Sequence, residues 1–597
     1  METGDYRAPV HEMRFVLGAL RALERLRAQD SRDLPDDETC SAILEEAARF
    51  AEHEIAPLNR LSDEAGVRFA EGRVRVPPEI VAAYRKFVDA GWPSLTAPPE
   101  HGGQGMPQVL GLPVAEMWRS ANLAFALCPM LAQSGVEALH AHGSAEVKAR
   151  FLPKLVSGEW TATMNLTEPQ AGSDLAAVET RAERRGEGYR LRGRKIFITW
   201  GDHDLTDNIV HFVLARTAPL EAGNRGLSMF VAPKFLVRED GSLGERNDVA
   251  PVSIEHKLGI RGAPTCVMSY GDGNGAAAYL VGAEGQGLAS MFTMMNRARL
   301  AVGVEGLGVA ERAYQKARAY ARTRVQGRSP SGERVPISRH PDVRRMLLLM
   351  KSATEAMRWV AYGTALELDA AQRESDPRAA ARAADRVALL TPIVKGWCTE
   401  LAQEVVSLGV QVHGGAGYIE ETGAAQLLRD ARVTTIYEGT TGIQALDLVR
   451  RKIAGDGGRA VFSLLEEIAG WCESHKVDAK LRPPVVQALA EAVRLADAAV
   501  RFVLDRQAED SDLAGAASVN LLMLLGTVLG AFGHARAAYA AERLREAARG
   551  EANAAFLASK RASAVFYAEH VLPRARAYCA SVLAGSDCIT ALDDALL

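Results

Sequence analysis

The 597-residue chain contains no Cys-x-x-Cys pair. Its seven cysteines, Cys40, Cys128, Cys266, Cys398, Cys472, Cys579 and Cys588, are odd in number and widely scattered. That pattern does not read as a disulfide framework and fits a reducing cytoplasm best. No long block of like charge occurs, and a formal net charge of -4 leaves no footprint for nucleic acid. Neither GxGxxG nor GxxxxGK[ST] is present. GVEGLG at 303–308 has the wrong spacing and lies inside a helical pattern, so no Rossmann or P-loop site is expected. HExxH and clustered Cys/His are missing too, which argues against a dedicated metal site. The opening METGDYRAPVHEMRF carries acids early and no basic segment followed by an apolar run, so no signal peptide is expected. The longest apolar run, VNLLMLLGTVLGAFG at 519–533, is shorter than the roughly 20 residues of a spanning helix and holds Asn520 and three glycines. It reads as a buried bundle helix, with contact at a membrane surface as the alternative.

With 48% hydrophobic and 24% charged residues, the composition is that of a multi-domain globular protein. The texture changes several times along the chain. After an N-terminal arm, 1–35, the period is helical over 36–160, broken by the turn-rich APPEHGGQGMP. Over 161–282 short alternating runs, YRLRGRKIFIT, NIVHFVLART and LSMFVAPK, predict a small antiparallel β-domain. Helical period returns over 283–453, where QGLASMF through ARTR is one long helix or two. A glycine-rich linker, AGDGGRA, leads into a further helical segment, 454–597. The expected fold is α+β and multi-domain: a helical domain, a middle antiparallel β-domain, a helical bundle and an extra C-terminal helical domain. Gly303, Gly306 and Gly308 suit close helix packing better than ligand contact.

Two stretches carry chemistry. MNLTEPQAGSD at 164–174 is a polar turn where amides and hydroxyls can converge on an acceptor-rich ligand, although a solvated loop reads equally well. In the following KIFITWGD, Phe197 and Thr199 alternate along a strand and can line one side of a flat heterocycle. Further on, ARVTTIYEGTTGIQ places one carboxylate, Glu438, among apolar and β-branched residues. Such a group is solvated, caps a helix, or sits in an apolar pocket to move a proton.

The ordered set TEPxxGSD, KxFIT, KLGIRGxPT, RARLAVGVEGLGVAERAYQKARAYARTR, QVHGGAGY and RDARVTTIYEGTTGIQ resembles the acyl-CoA dehydrogenase family of flavoenzymes over about 36–452. The N-terminal arm and C-terminal extension resemble its long bacterial subgroup, which includes long-chain fatty acyl-CoA and 3-methylmercaptopropionyl-CoA dehydrogenases. The resemblance implies FAD and α,β-desaturation of an acyl-CoA thioester. Thr167 and its neighbours Met164 and Leu166 would contact the flavin, and Ser173 would lie near the pyrophosphate or the CoA. Phe197 would cover the ring where many relatives carry Trp, and Thr199 would bond near its reactive nitrogen. Arg324 and Gln326 match a segment reaching the FAD of a neighbouring subunit, although RVQGR lacks the usual Thr-Phe-Gly ending; Gln411 and Gly415 match the adenosine-side contact. Thr440 would bond the cofactor.

Glu438 would abstract the α proton, its environment raising its basicity once substrate expels water. Some relatives place the base on the MNRAR helix, at the position filled here by Ala298. Tyr437, Gly439, Asn296 and Arg299 would contact substrate, Asn296 where relatives often carry Asp. An electron-transfer flavoprotein is the implied acceptor and a homodimer the implied assembly. An oxidase on the same scaffold stays open. A flavoprotein used for DNA binding would need a basic C-terminal domain, whereas here arginines alternate with acids.

Overall fold

The computed structural model describes residues 6–29, 34–186, 188–477, 483–545 and 550–596. The chain divides into two compact units, one of Met1–Ala48, Gln108–Ser120 and Val302–Leu597, the other of Arg49–Pro107 and Ala121–Ala301.

The second unit is built on an eight-stranded sheet. Its strands are β1 (Thr161–Asn165), β2 (Arg181–Arg185), β3 (Gly188–Thr199), β4 (Ile209–Arg216), β5 (Leu227–Pro233), β6 (Val249–Ile254), β7 (Thr265–Tyr270) and β8 (Ala276–Val281). The order is β6-β7-β3-β8-β5-β4-β1, with β2 paired to β3 and β4. Most pairings are antiparallel as expected, but β1 and β2 each pair with β4 in parallel. The alternation expected for NIVHFVLART is also absent: every residue of β4 is buried. Both of its faces are covered, and a strand so placed reads as a continuous apolar run. On one face Phe212, Leu214, Met229 and Val231 pack with helix residues Val136, Leu139, Phe151, Met291 and Met294. On the other, Val213, Phe230, Leu191, Ile198 and Met268 form a second core.

The first unit is helical. GLASMF through ART forms a single helix, Gly287–Thr323, whose residues from Val302 onward belong to this unit. Its glycines are packing positions: a Cβ on Gly303 would lie 2.5 Å from a Val394 methyl and 2.7 Å from the Val394 carbonyl. The apolar run 519–533 lies in the helix Leu513–Arg545, and 67% of its most apolar stretch is buried. The reason is local, since a Cβ on Gly526 would fall 2.2 Å from the Trp397 ring, which occupies that place instead. The arm and the extension meet through ions. Lys560 Nζ donates to Glu12 of the arm and, at 2.5 Å, to Glu355 of the helix Pro341–Arg373, and Lys351 also bonds Glu355. A second buried network joins Arg358 to Glu116 at 2.6 Å and to Glu311 at 2.7 Å, with Tyr362 donating to Glu116 at 2.6 Å.

Candidate active site

In the β unit the candidate residues collect where β3 ends. Lys195 stands opposite Met268 and Ile198 opposite Cys266, so Ile196 and Phe197 together face Val267 alone. This is a β-bulge, and Phe197 adopts φ +59° within it. The simple alternation expected for Phe197 and Thr199 is therefore interrupted, and the left-handed residue re-aims its ring. Phe197 ends 59% exposed beside half-buried Thr199. A large ring so exposed at the end of an interior strand can accept a flat apolar occupant. The Thr163 hydroxyl donates to the Thr199 carbonyl at 2.7 Å, fixing the backbone there.

The turn after β1 is held by a pair that the sequence reading passed over. Glu168 is 3% exposed and Lys195 fully buried, 2.8 Å apart. Glu168 also accepts from the amides of Glu179 at 2.8 Å and Thr180 at 3.0 Å, while Lys195 donates to the Leu166 carbonyl at 2.8 Å. Burial alone would raise the Glu168 carboxyl, but Lys195 and the two amides hold it below the usual range. Burial pulls the Lys195 ammonium down to about 8 against the opposing attraction of Glu168. The signal was a lysine within the strand-like run KIFIT, which a buried strand carries only with a partner. Of the turn residues, Met164 and Thr167 are half-buried, Leu166 is buried and Ser173 is exposed. On the long helix Arg299 is buried, donating to Asn296 at 3.3 Å with its guanidinium 5.5 Å from the Phe292 ring centre, whereas Asn296 is exposed.

In the helical unit Glu438 has φ +57° and Gly439 φ +91°. Two successive left-handed residues fold the chain back tightly, and only the second is a glycine that adopts this conformation without strain. The helix Thr441–Asp447 is capped by Thr440, whose hydroxyl accepts from the Ile443 amide at 3.3 Å. Glu438 is thus not the cap. Its carbonyl accepts from buried Gln444 at 3.2 Å, and its neighbour Tyr437 donates to Glu305, a fully buried carboxyl that the sequence reading did not single out. The signal was weak, since Glu305 is separated from Tyr437 by 132 residues. Arg324, Gln326, Gln411 and Gly415 are all exposed. Tyr320 stacks on His413 with ring centres 4.5 Å apart, which makes their two segments neighbours.

Three domain models of the acyl-CoA dehydrogenase family match the chain: the N-terminal domain over 37–159, the middle domain over 163–272 and the C-terminal domain over 285–453. A model described as acetyl-CoA dehydrogenase C-terminal like matches 464–593. The 3-methylmercaptopropionyl-CoA dehydrogenase of Ruegeria pomeroyi is 46% identical over 95% of this chain and 96% of its own length. The broad-specificity linear acyl-CoA dehydrogenase FadE5 of Mycobacterium tuberculosis is 32% identical over 95% of this chain and 96% of its own. An acyl-CoA dehydrogenase from Bacillus anthracis, solved in complex with FAD, shares the fold at TM-score 0.73 and 21% identity, over 94% of this chain and 90% of its own. The chain belongs to the acyl-CoA dehydrogenase family and is an FAD-dependent oxidoreductase acting on acyl-CoA thioesters.

Proposed function

We propose that Glu438 removes the α proton of an acyl-CoA thioester, giving the trans-2-enoyl-CoA. The observation that carries this is the turn itself: a carboxylate on left-handed backbone, anchored at its carbonyl by Gln444 and free of capping duty. Backbone of that kind costs on the order of 1–3 kcal/mol and is retained where its geometry is used. The Glu438 amide is a suitable donor to the thioester carbonyl, whose polarisation acidifies the α proton. FAD, when bound, supplies the acceptor for the β hydride. Phe197 covers the flavin ring, the hydroxyls of Thr199 and Thr167 bond its polar edge with Met164 and Leu166 beside them, and Thr440 contributes from the base segment. Ser173, Asn296, Arg299, Tyr437 and Gly439 position the substrate.

The exposed segments around Arg324 and Gln326, and around Gln411 and Gly415, serve a second copy of the chain in a homodimer. An electron-transfer flavoprotein reoxidises the enzyme, and free buried thiols such as Cys128 and Cys398 support a cytoplasmic site of action in fatty acid β-oxidation. The domain limits fall at about 36, 161, 283 and 454. A thioether substrate, 3-methylmercaptopropionyl-CoA, is the second reading, favoured by the 46% identity to the Ruegeria enzyme. Anaerobic flavin bleaching against acyl-CoA thioesters from short to long chain, with 3-methylmercaptopropionyl-CoA included, decides between them. A flat response to the whole panel contradicts the proposed reaction, and equal reoxidation by O₂ and by the flavoprotein contradicts the proposed acceptor.

A further inference from the structure

Glu305 lies in the interior of the helix Gly287–Thr323 and is fully buried. Desaturation as set out above makes no use of it. A carboxyl with no exposure is retained where it has a partner or a task. One oxygen, Oε2, accepts from the Tyr437 phenol, and Tyr437 immediately precedes Glu438. The other, Oε1, has no hydrogen-bond partner among the described residues. Four ionisable groups face it: Arg119 from the helix Gln108–Ala121, Lys395 from the helix Pro377–His413, and Tyr437 and Glu438 from the base segment. Burial pushes the Glu305 carboxyl up to about 7, and Glu438 adds to the rise; Arg119, the Tyr437 bond and Lys395 oppose it.

The left-handed pair Glu438–Gly439 needs anchors on both sides. Gln444 grips the Glu438 carbonyl from the following helix, and Glu305 grips Tyr437 from the other side. Resting on the assignment of Glu438 as base, we propose that Glu305 is a positioning residue. Through Tyr437 it fixes the turn that carries the base, and as a second carboxyl beside the base it sets how strongly Glu438 holds a proton. Two interacting carboxyls do not titrate independently. When Glu305 loses its proton, the added negative charge makes Glu438 the stronger base. Proton abstraction then quickens as pH rises through the ionisation of Glu305.

The test is stopped-flow flavin reduction of the FAD-loaded enzyme by one acyl-CoA, as a pH profile, in wild type, Glu305→Gln, Tyr437→Phe and Glu438→Gln. Gln at 305 keeps the acceptor for Tyr437 and removes only the charge. Its profile is expected to lose the rise near neutrality while KM is unchanged. Tyr437→Phe, lacking the tether, is expected to lower the limiting rate by about tenfold, the worth of one good hydrogen bond. Both variants should remain folded and hold FAD at wild-type content. Profiles of both variants that overlay the wild type contradict the proposal. If Glu305→Gln does not fold, Tyr437→Phe decides alone, an unchanged limiting rate counting against it. Wild-type reduction by Glu438→Gln would overturn the base assignment itself, whatever the other two variants do.

Discussion

Six non-glycine residues among those described have positive φ, and four of them, Phe197, Trp200, Ile260 and Glu438, fall within the sequence motifs of the candidate site. Strain concentrates where side chains must be aimed rather than where a chain merely turns. At this scale Thr199→Val should shift the flavin spectrum and slow reduction through loss of a hydrogen bond; an unchanged spectrum and rate would remove Thr199 from the site. Glu305 gives a stability prediction with a definite sign. Burial pushes its carboxyl up to about 7 in the folded state against 4.5 for an exposed glutamate, so between those values the folded protein holds the extra proton. Stability from this group is fully present below about pH 4.5 and is lost as pH rises through about 7. Glu305→Gln should therefore match wild type in acid and exceed it at pH 8, by up to about 3 kcal/mol. Equal melting temperatures at both pH values would contradict the burial argument. Glu438 stands out in the sequence because a lone acid in TTIYEGTT breaks its surroundings. Glu305 does not, because one acid in a long mixed helix is ordinary and only tertiary packing brings Tyr437 to it.

The elements show which patterns a sequence carries. Helical period survives packing, so the long helix Gly287–Thr323 and the apolar helix Leu513–Arg545 were both readable. A bulge does not survive as a pattern, because adding one residue to one strand is a decision made jointly with the partner strand. The re-aimed Phe197 and the parallel pairings of β4 were hidden for that reason. The Glu168–Lys195 pair is the bolt between β3 and the TEP turn. Lys195→Met should leave Glu168 buried and uncompensated and cost about 3–5 kcal/mol. Denaturant midpoints with FAD retention check this, and a variant of wild-type stability that still holds FAD would show that the turn is fixed by other means.

On the scale of the whole molecule, the arm and the C-terminal extension clasp the same helix through Glu12, Lys560 and Glu355. Burial lowers the His534 imidazole, packed in the same region, to about 4, so it stays neutral there at physiological pH. Because the extension covers helices of the catalytic bundle, assembly should stop at two 64.2 kDa chains joined through the exposed stretch with Tyr418 and Ile419. Light scattering that reports a tetramer, or a stable FAD-loaded monomer, would contradict this. The central claim is that one carboxylate does the proton chemistry, and stopped-flow reduction of Glu438→Gln by a good acyl-CoA substrate tests it most directly. Gln keeps the shape and the backbone donors, so FAD and substrate should still bind, while the reduction rate falls by at least the roughly 10² to 10⁴ of a lost general base. A rate within about tenfold of wild type, below that range, would mean that another group takes the α proton.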